Sequence, residues 1–119
     1  MTIGEFSEKC GISPSALRYY EKKGLIRVTR DGAGRREYDS GDISWVSFLI
    51  RLKNTGMPLR EIKRYSDLRY KGDSTVPERL EMLLKHKEYV DIQRKQWDEY
   101  AENLCRKIQV YKNMIDMKK

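Results

Sequence analysis

Between positions 76 and 115 apolar residues recur at alternating intervals of four and three, and no other feature constrains the fold as strongly. The spacing selects Val76, Leu80, Leu83, Lys87, Val90, Arg94, Trp97, Ala101, Leu104, Ile108, Tyr111 and Ile115, ten of them apolar. With no Gly or Pro after Pro77, this pattern predicts one coiled-coil helix of about 40 residues, on the order of 60 Å long. Alone, such a helix leaves its stripe in water. A second copy is therefore expected to cover it, through Leu83, Val90, Trp97, Ala101, Leu104, Ile108 and Tyr111. Lys87 and Arg94 interrupt the seam, either to set its register or to lay their stems along the apolar surface.

The preceding residues read as a small helical head. Thr2 caps a short helix with Ile3, Phe6 and Cys10 on one face, and Gly11 ends it. Ser13 followed by Pro14 starts a second helix that runs through Lys23 and stops at Gly24. Ala16, Leu17 and Tyr20 face the first helix, while Ser15, Arg18, Tyr19 and Lys22 turn outward. Residues 25–29 favour a strand, Asp31-Gly32 a turn, and residues 35–38 a returning strand. Asp39 or Ser40 caps a third helix carrying Ile43, Val46, Phe48, Leu49, Ile50 and Leu52, closed by Gly56. Pro58 opens a fourth with Leu59, Ile62 and Tyr65 inward. The polar run 71–76 separates a head, residues 1–71, from a dimerisation helix, residues 72–119. The expected fold is mainly α: a winged helix-turn-helix head with a small two-stranded wing, followed by a long coiled-coil helix.

Charge says what such a head meets. Residues 14–38 hold seven basic side chains (Arg18, Lys22, Lys23, Arg27, Arg30, Arg35, Arg36) against Glu21, Asp31 and Glu37, with Tyr19, Tyr20 and Tyr38 interleaved. Fifteen Lys and Arg against nine Asp and Glu place +6 of the net +7 in residues 1–71. Cations release counterions when they meet phosphates, and planar Arg and Tyr groups also reach base edges, so double-stranded DNA is the expected partner. Gly32-Ala33-Gly34 is no phosphate-cradling loop, because no helix opens straight after it. No nucleophile, base and oxyanion donor converge in the sequence, so no enzyme chemistry is expected. Two distant Cys and one His make a poor metal kit, and no cofactor is expected. Without an apolar spanning run or a leader pattern, the chain is expected to be cytoplasmic, with no membrane partner and with Cys10 and Cys105 as thiols.

The blocks TIGEFSEKCGISPSALRYYEKKGLI, RREYDSGDI and LKNTGMPLREIK, followed by the long helix, resemble the MerR family of bacterial transcription regulators over the whole chain. The most specific elements are Leu17-Arg18-Tyr19-Tyr20-Glu21, Gly24-Leu25-Ile26, and Arg36, Tyr38 and Asp42. The resemblance implies two winged heads joined by an antiparallel coiled coil. In that family the dimer sits on a near-palindromic operator within an overlong promoter spacer, and distorts it so that RNA polymerase can engage. Carried over by position, Arg18, Tyr19, Tyr20, Arg35, Arg36 and Tyr38 meet bases and backbone; Ser15 faces the same groove, and Lys22 and Arg60 are candidates for phosphate. The large drug-binding domain and the cysteine-bearing metal loop of some members are not expected here, nor is the reactive cysteine near the third helix, where the sequence reads Ile50-Arg51-Leu52-Lys53. A small-molecule or stress effector is implied without being identified.

Each of these readings has a plainer rival. The basic face could be merely solvated and Tyr20 simply packed. Cys10 reads as core, Cys105 as interface packing with Arg106 and Lys107 beside it, and His86 as solvated. Tyr65, Tyr70, Tyr89, Trp97, Tyr100 and Tyr111 read as seam or core in preference to a ligand pocket. Two competing functions remain: an architectural or recombination-accessory DNA bender that leaves transcription unchanged, and a coiled-coil interaction module without sequence preference.

Overall fold

Helix α1, Ile3–Cys10, starts where the Thr2 hydroxyl accepts from the Glu5 amide at 3.2 Å. It stops at Gly11, whose φ of 69° is open to glycine at no steric cost. A computed structural model of the chain describes residues 1–118 and places the next elements in this order. Helix α2 spans Pro14–Lys22, strand β1 Thr29–Arg30, strand β2 Arg36–Glu37, helix α3 Ser40–Asn54 and helix α4 Leu59–Lys71. A 3-10 turn, Asp73–Thr75, then leads into helix α5, Val76–Met117.

Each start signal in the head is a side chain that satisfies an orphan amide. Ser13 Oγ accepts from Ala16 N at 3.2 Å ahead of Pro14. Asp39 and Asp42 form a reciprocal capping box at α3, each carboxylate accepting the other's amide at 2.9–3.0 Å. Burial raises the Asp42 carboxyl above its ordinary range, although the Asp39 amide opposes the shift.

Phe6, Leu17, Leu25, Ile26, Val46, Leu49 and Ile62 lie wholly inside this head. Each contributes about 1.5–3 kcal/mol by leaving water. Trp45, absent from the expected core positions, is also buried; it stacks on Tyr65 with ring centroids 5.7 Å apart. Its Nε1 donates to the Leu25 carbonyl at 3.0 Å, and the fully buried Ser66 hydroxyl donates to the same oxygen at 2.7 Å. The backbone just beyond α2 is thus held by α3 and α4 together. Leu59, expected inward, is exposed, because it opens α4 beside Pro58, a turn ahead of the buried Ile62.

The wing is shorter than expected. Only two rungs pair, Thr29 with Glu37 and Arg30 with Arg36, antiparallel. The turn is not built on the dipeptide Asp31-Gly32. Instead Asp31 Oδ1 accepts from the amides of Ala33 and Arg35 at 2.9 and 3.0 Å, and Gly34 takes the positive φ of 81°. These amides, Arg35's first, hold the Asp31 carboxyl below its usual range.

The first compact unit runs from Met1 to Met82. Its end is fastened by the buried Thr75 hydroxyl, which donates to the Leu68 carbonyl at 2.6 Å, and by buried Met82. The second unit begins at Leu83 and holds the remainder of α5, to Met117. In it Leu83 and Val90 are half-buried, and Trp97, Ala101, Leu104, Ile108 and Tyr111 are exposed. Lys87 and Arg94 both reach Asp91, at 2.7 and 3.9 Å. No described helix is long and apolar enough to cross a membrane.

Candidate nucleic-acid interface

The outer face of α2 follows from its period. Ser15, Arg18, Tyr19 and Lys22 stand at i, i+3, i+4 and i+7, so they form one stripe, and all four are exposed. Leu17 and Tyr20 face the core. Lys23, the cap of α2, lies 5.6 Å from the centroid of the Tyr19 ring. Arg35 is exposed at the tip of the wing and Arg60 on the first turn of α4.

Two tyrosines expected at DNA are buried in the head. Tyr20 is 5% exposed, and Lys53 Nζ donates to its hydroxyl at 3.3 Å. Tyr38 is 2% exposed and stacked on Phe6 with centroids 4.3 Å apart. Helix phase accounts for Tyr20, which lies three positions beyond the buried Leu17. Tyr38 leaves the wing where its backbone pairs with Met1 in both directions, at 2.9 and 3.0 Å. Both rings pack within the head.

The Tyr38 hydroxyl is buried without a hydrogen-bond partner among the described residues. Burial, and then the Glu21 carboxylate, raise its pKa, so it stays a neutral phenol. Stranding a buried hydroxyl costs about 1–3 kcal/mol. Tyr38→Phe is therefore expected to unfold at the same or a higher temperature and to bind DNA as before. A loss of affinity with stability intact, seen by calorimetry beside a binding titration, would return the hydroxyl to the interface.

Glu21 closes the motif Leu17-Arg18-Tyr19-Tyr20-Glu21. Its carboxylate accepts from Arg30 Nη2 at 3.1 Å and from Arg36 Nε, joining α2 to the wing. The pairing keeps the Arg36 guanidinium protonated beyond its ordinary range. Being the single acid of α2 was the available signal, although its two partners could not be read from spacing. At the base of the wing, Arg27 and Arg69 lie 4.8 and 5.0 Å from the centroid of the Tyr70 ring, and Arg69 also lies 4.9 Å from that of Trp45. The Arg27 amide donates to the Tyr70 hydroxyl at 3.0 Å.

Cys10 is half-buried and Cys105 exposed; burial raises the Cys10 thiol pKa, which suppresses thiolate. Among the described residues no group of three or more His, Cys, Asp or Glu is placed to hold a metal ion. Tyr65 belongs to the core, while Tyr89, Trp97, Tyr100 and Tyr111 are exposed on α5.

Comparison with known proteins agrees with this architecture. Residues 1–68 match the family model described as MerR HTH family regulatory protein, and residues 43–105 match that described as MerR, DNA binding. An HTH-type transcriptional regulator of Haemophilus influenzae is 39% identical over 111 residues, covering 92% of this chain and 82% of the relative. The HTH-type transcriptional regulator AdhR of Bacillus subtilis is 37% identical over 84 residues, 70% of this chain and 60% of AdhR. Among solved structures, HiNmlR, a MerR family regulator lacking the sensor domain and bound to promoter DNA, superposes with a TM-score of 0.84 at 38% identity, covering 94% of this chain and 90% of that one. A Listeria monocytogenes protein described as a MerR family regulator gives 0.88 at 30% identity, covering 93% and 85%. A head matched from end to end, and relatives that share the long helix as well, make this chain a DNA-binding transcription regulator of the MerR family.

Proposed function

We infer that the chain works as a homodimer, setting two α2 helices into successive major grooves of a near-palindromic operator and regulating the promoter by distorting it. The observation that carries this reading is the exposed stripe Ser15, Arg18, Tyr19 and Lys22 next to a basic wing. Arg18 and Tyr19 read base edges, while Ser15, Lys22, Arg35, Arg36 and Arg60 hold phosphates. The exposed row Trp97, Leu104 and Ile108 supports pairing of two copies, since an unpaired helix would keep that row in water. Bending a DNA site of about 20–30 base pairs costs roughly 1–6 kcal/mol, repaid by contacts that two linked heads make at once. RNA polymerase at the realigned promoter, a cytoplasmic setting and a small-molecule or stress signal complete the proposal.

Selection from a randomised duplex pool tests it. The wild-type chain is expected to enrich a near-palindrome, and Arg18→Ala to relax preference at the contacted step by about 1–3 kcal/mol. Failure of the wild-type chain to enrich any sequence, or an unchanged preference in Arg18→Ala, would overturn the reading or that assignment respectively.

A further inference from the structure

One carboxylate grips both strands of the wing. Oε1 of Glu21 accepts from Arg30 Nη2 at 3.1 Å, and Oε2 accepts from Arg36 Nε. Arg30 and Arg36 face each other on one rung of the ladder. Like charges directly opposite across a rung repel, and a hairpin with two-residue strands has little stability of its own. Glu21 stands on α2 three positions beyond Arg18, with a fifth of its side chain exposed. It therefore cancels the repulsion at the rung and fastens the wing to the helix that bears the exposed stripe.

We propose that Glu21 is a specificity-determining positioning residue, which holds the wing at a set distance from α2 and keeps Arg30 and Arg36 from engaging any phosphate they meet. This rests on the DNA-binding reading of α2 and the wing. A free guanidinium binds backbone phosphate whatever the sequence. One that must leave, or share, a carboxylate gains less from such contacts. Its gain is largest where α2 is seated and the backbone arrives at the restrained wing in register. Specificity is a difference between two affinities, and the Glu21 clamp lowers the non-specific one more.

The test uses the full chain and two duplexes: one enriched by the wild-type chain from a randomised pool, and a scrambled version of equal composition. Affinities are measured across a range of salt concentrations. Glu21→Gln is expected to tighten scrambled binding by about three- to tenfold and to lower the selected-to-scrambled ratio by roughly tenfold. Its salt slope on the scrambled duplex steepens by up to about 1.8, at roughly 0.9 per guanidinium released. Glu37→Gln removes the same charge from an exposed position on β2; it is expected to tighten both duplexes alike and leave the ratio unchanged. Glu21→Asp keeps the charge but shortens the arm, and is expected to lose part of the ratio. That variant carries the test alone if Glu21→Gln does not fold. An unchanged ratio in Glu21→Gln, the same response in Glu37→Gln, or a wild-type ratio in Glu21→Asp would each overturn the proposal. A wild-type chain with no preference between the duplexes would defeat the DNA-binding reading itself, and the Glu21 proposal with it.

Discussion

Leu104→Asp is expected to give a monomer that no longer holds a two-half-site duplex. Leu104 is 66% exposed in the single chain and sits in the apolar row between Ala101 and Ile108. An Asp there costs an isolated helix no more than about 0.7 kcal/mol in propensity. In a paired seam it places two carboxylates among apolar side chains, a desolvation cost of several kcal/mol per charge. The head, which closes at Met82, keeps its fold. Light scattering should therefore move from about twice the chain mass of 14.2 kDa to the single mass. Affinity for the selected duplex should fall by roughly a hundredfold or more, because the second head no longer binds as a tethered partner. A variant that remains dimeric with wild-type affinity would remove this seam from the account.

Trp45→Ala carries the second large effect, this time on the head. The change deletes a buried indole, its stack on Tyr65, the cation-π contact from Arg69 and one of the two donors to the Leu25 carbonyl. Large aromatic truncations in a core cost about 3–5 kcal/mol, against a total of roughly 5–15 kcal/mol for a natural domain. Trp45→Phe keeps a ring but loses the donor, and Ser66 still serves the same oxygen, so about 1 kcal/mol is expected. Urea unfolding followed by circular dichroism should rank the three proteins in that order. Because Leu25 lies just three residues past the end of α2, DNA binding by the alanine variant should fall in step with its folded fraction. A loss below about 1 kcal/mol in Trp45→Ala would mean that the indole is not the shelf on which the end of α2 rests.

The helix starts were legible because each is a local event. Thr2, Ser13 and Asp39 cap within three residues of themselves, and a capping hydroxyl or carboxylate next to Pro or an apolar period is a short-range signal. The row on α5 was legible for the same reason, being a repeat along one helix. What sequence alone missed depends on distant partners. Trp45 is buried because Leu25, twenty positions earlier, offers a carbonyl, and Tyr38 because Phe6 offers a ring. The strands shrank to two residues each because the flanking backbone bonds elsewhere: the Leu25 carbonyl takes Trp45 and Ser66, the Arg27 amide goes to Tyr70, Tyr38 pairs with Met1, and the Asp31 side chain draws Arg35 into the loop. Of the candidate interface, the four outward residues of α2 followed from helix phase. The same phase turns Tyr20 inward, where it meets Lys53; only the family resemblance set it at DNA. Glu21 was visible as an outnumbered acid, but its grip on both strands depends on the fold of the wing.

The two thiols differ in a way that has a practical consequence. Cys105 is open to reagents, while Cys10 is partly covered and its thiolate suppressed, so a maleimide dye under mild conditions marks one place per chain. In an assembly of two chains that single mark becomes a compass for strand direction. Helices running the same way would bring the two dyes to within about one interaxial spacing, some 10 Å. Helices running in opposition would part them by twice the distance from Cys105 to the crossing point, at about 1.5 Å for every residue traversed.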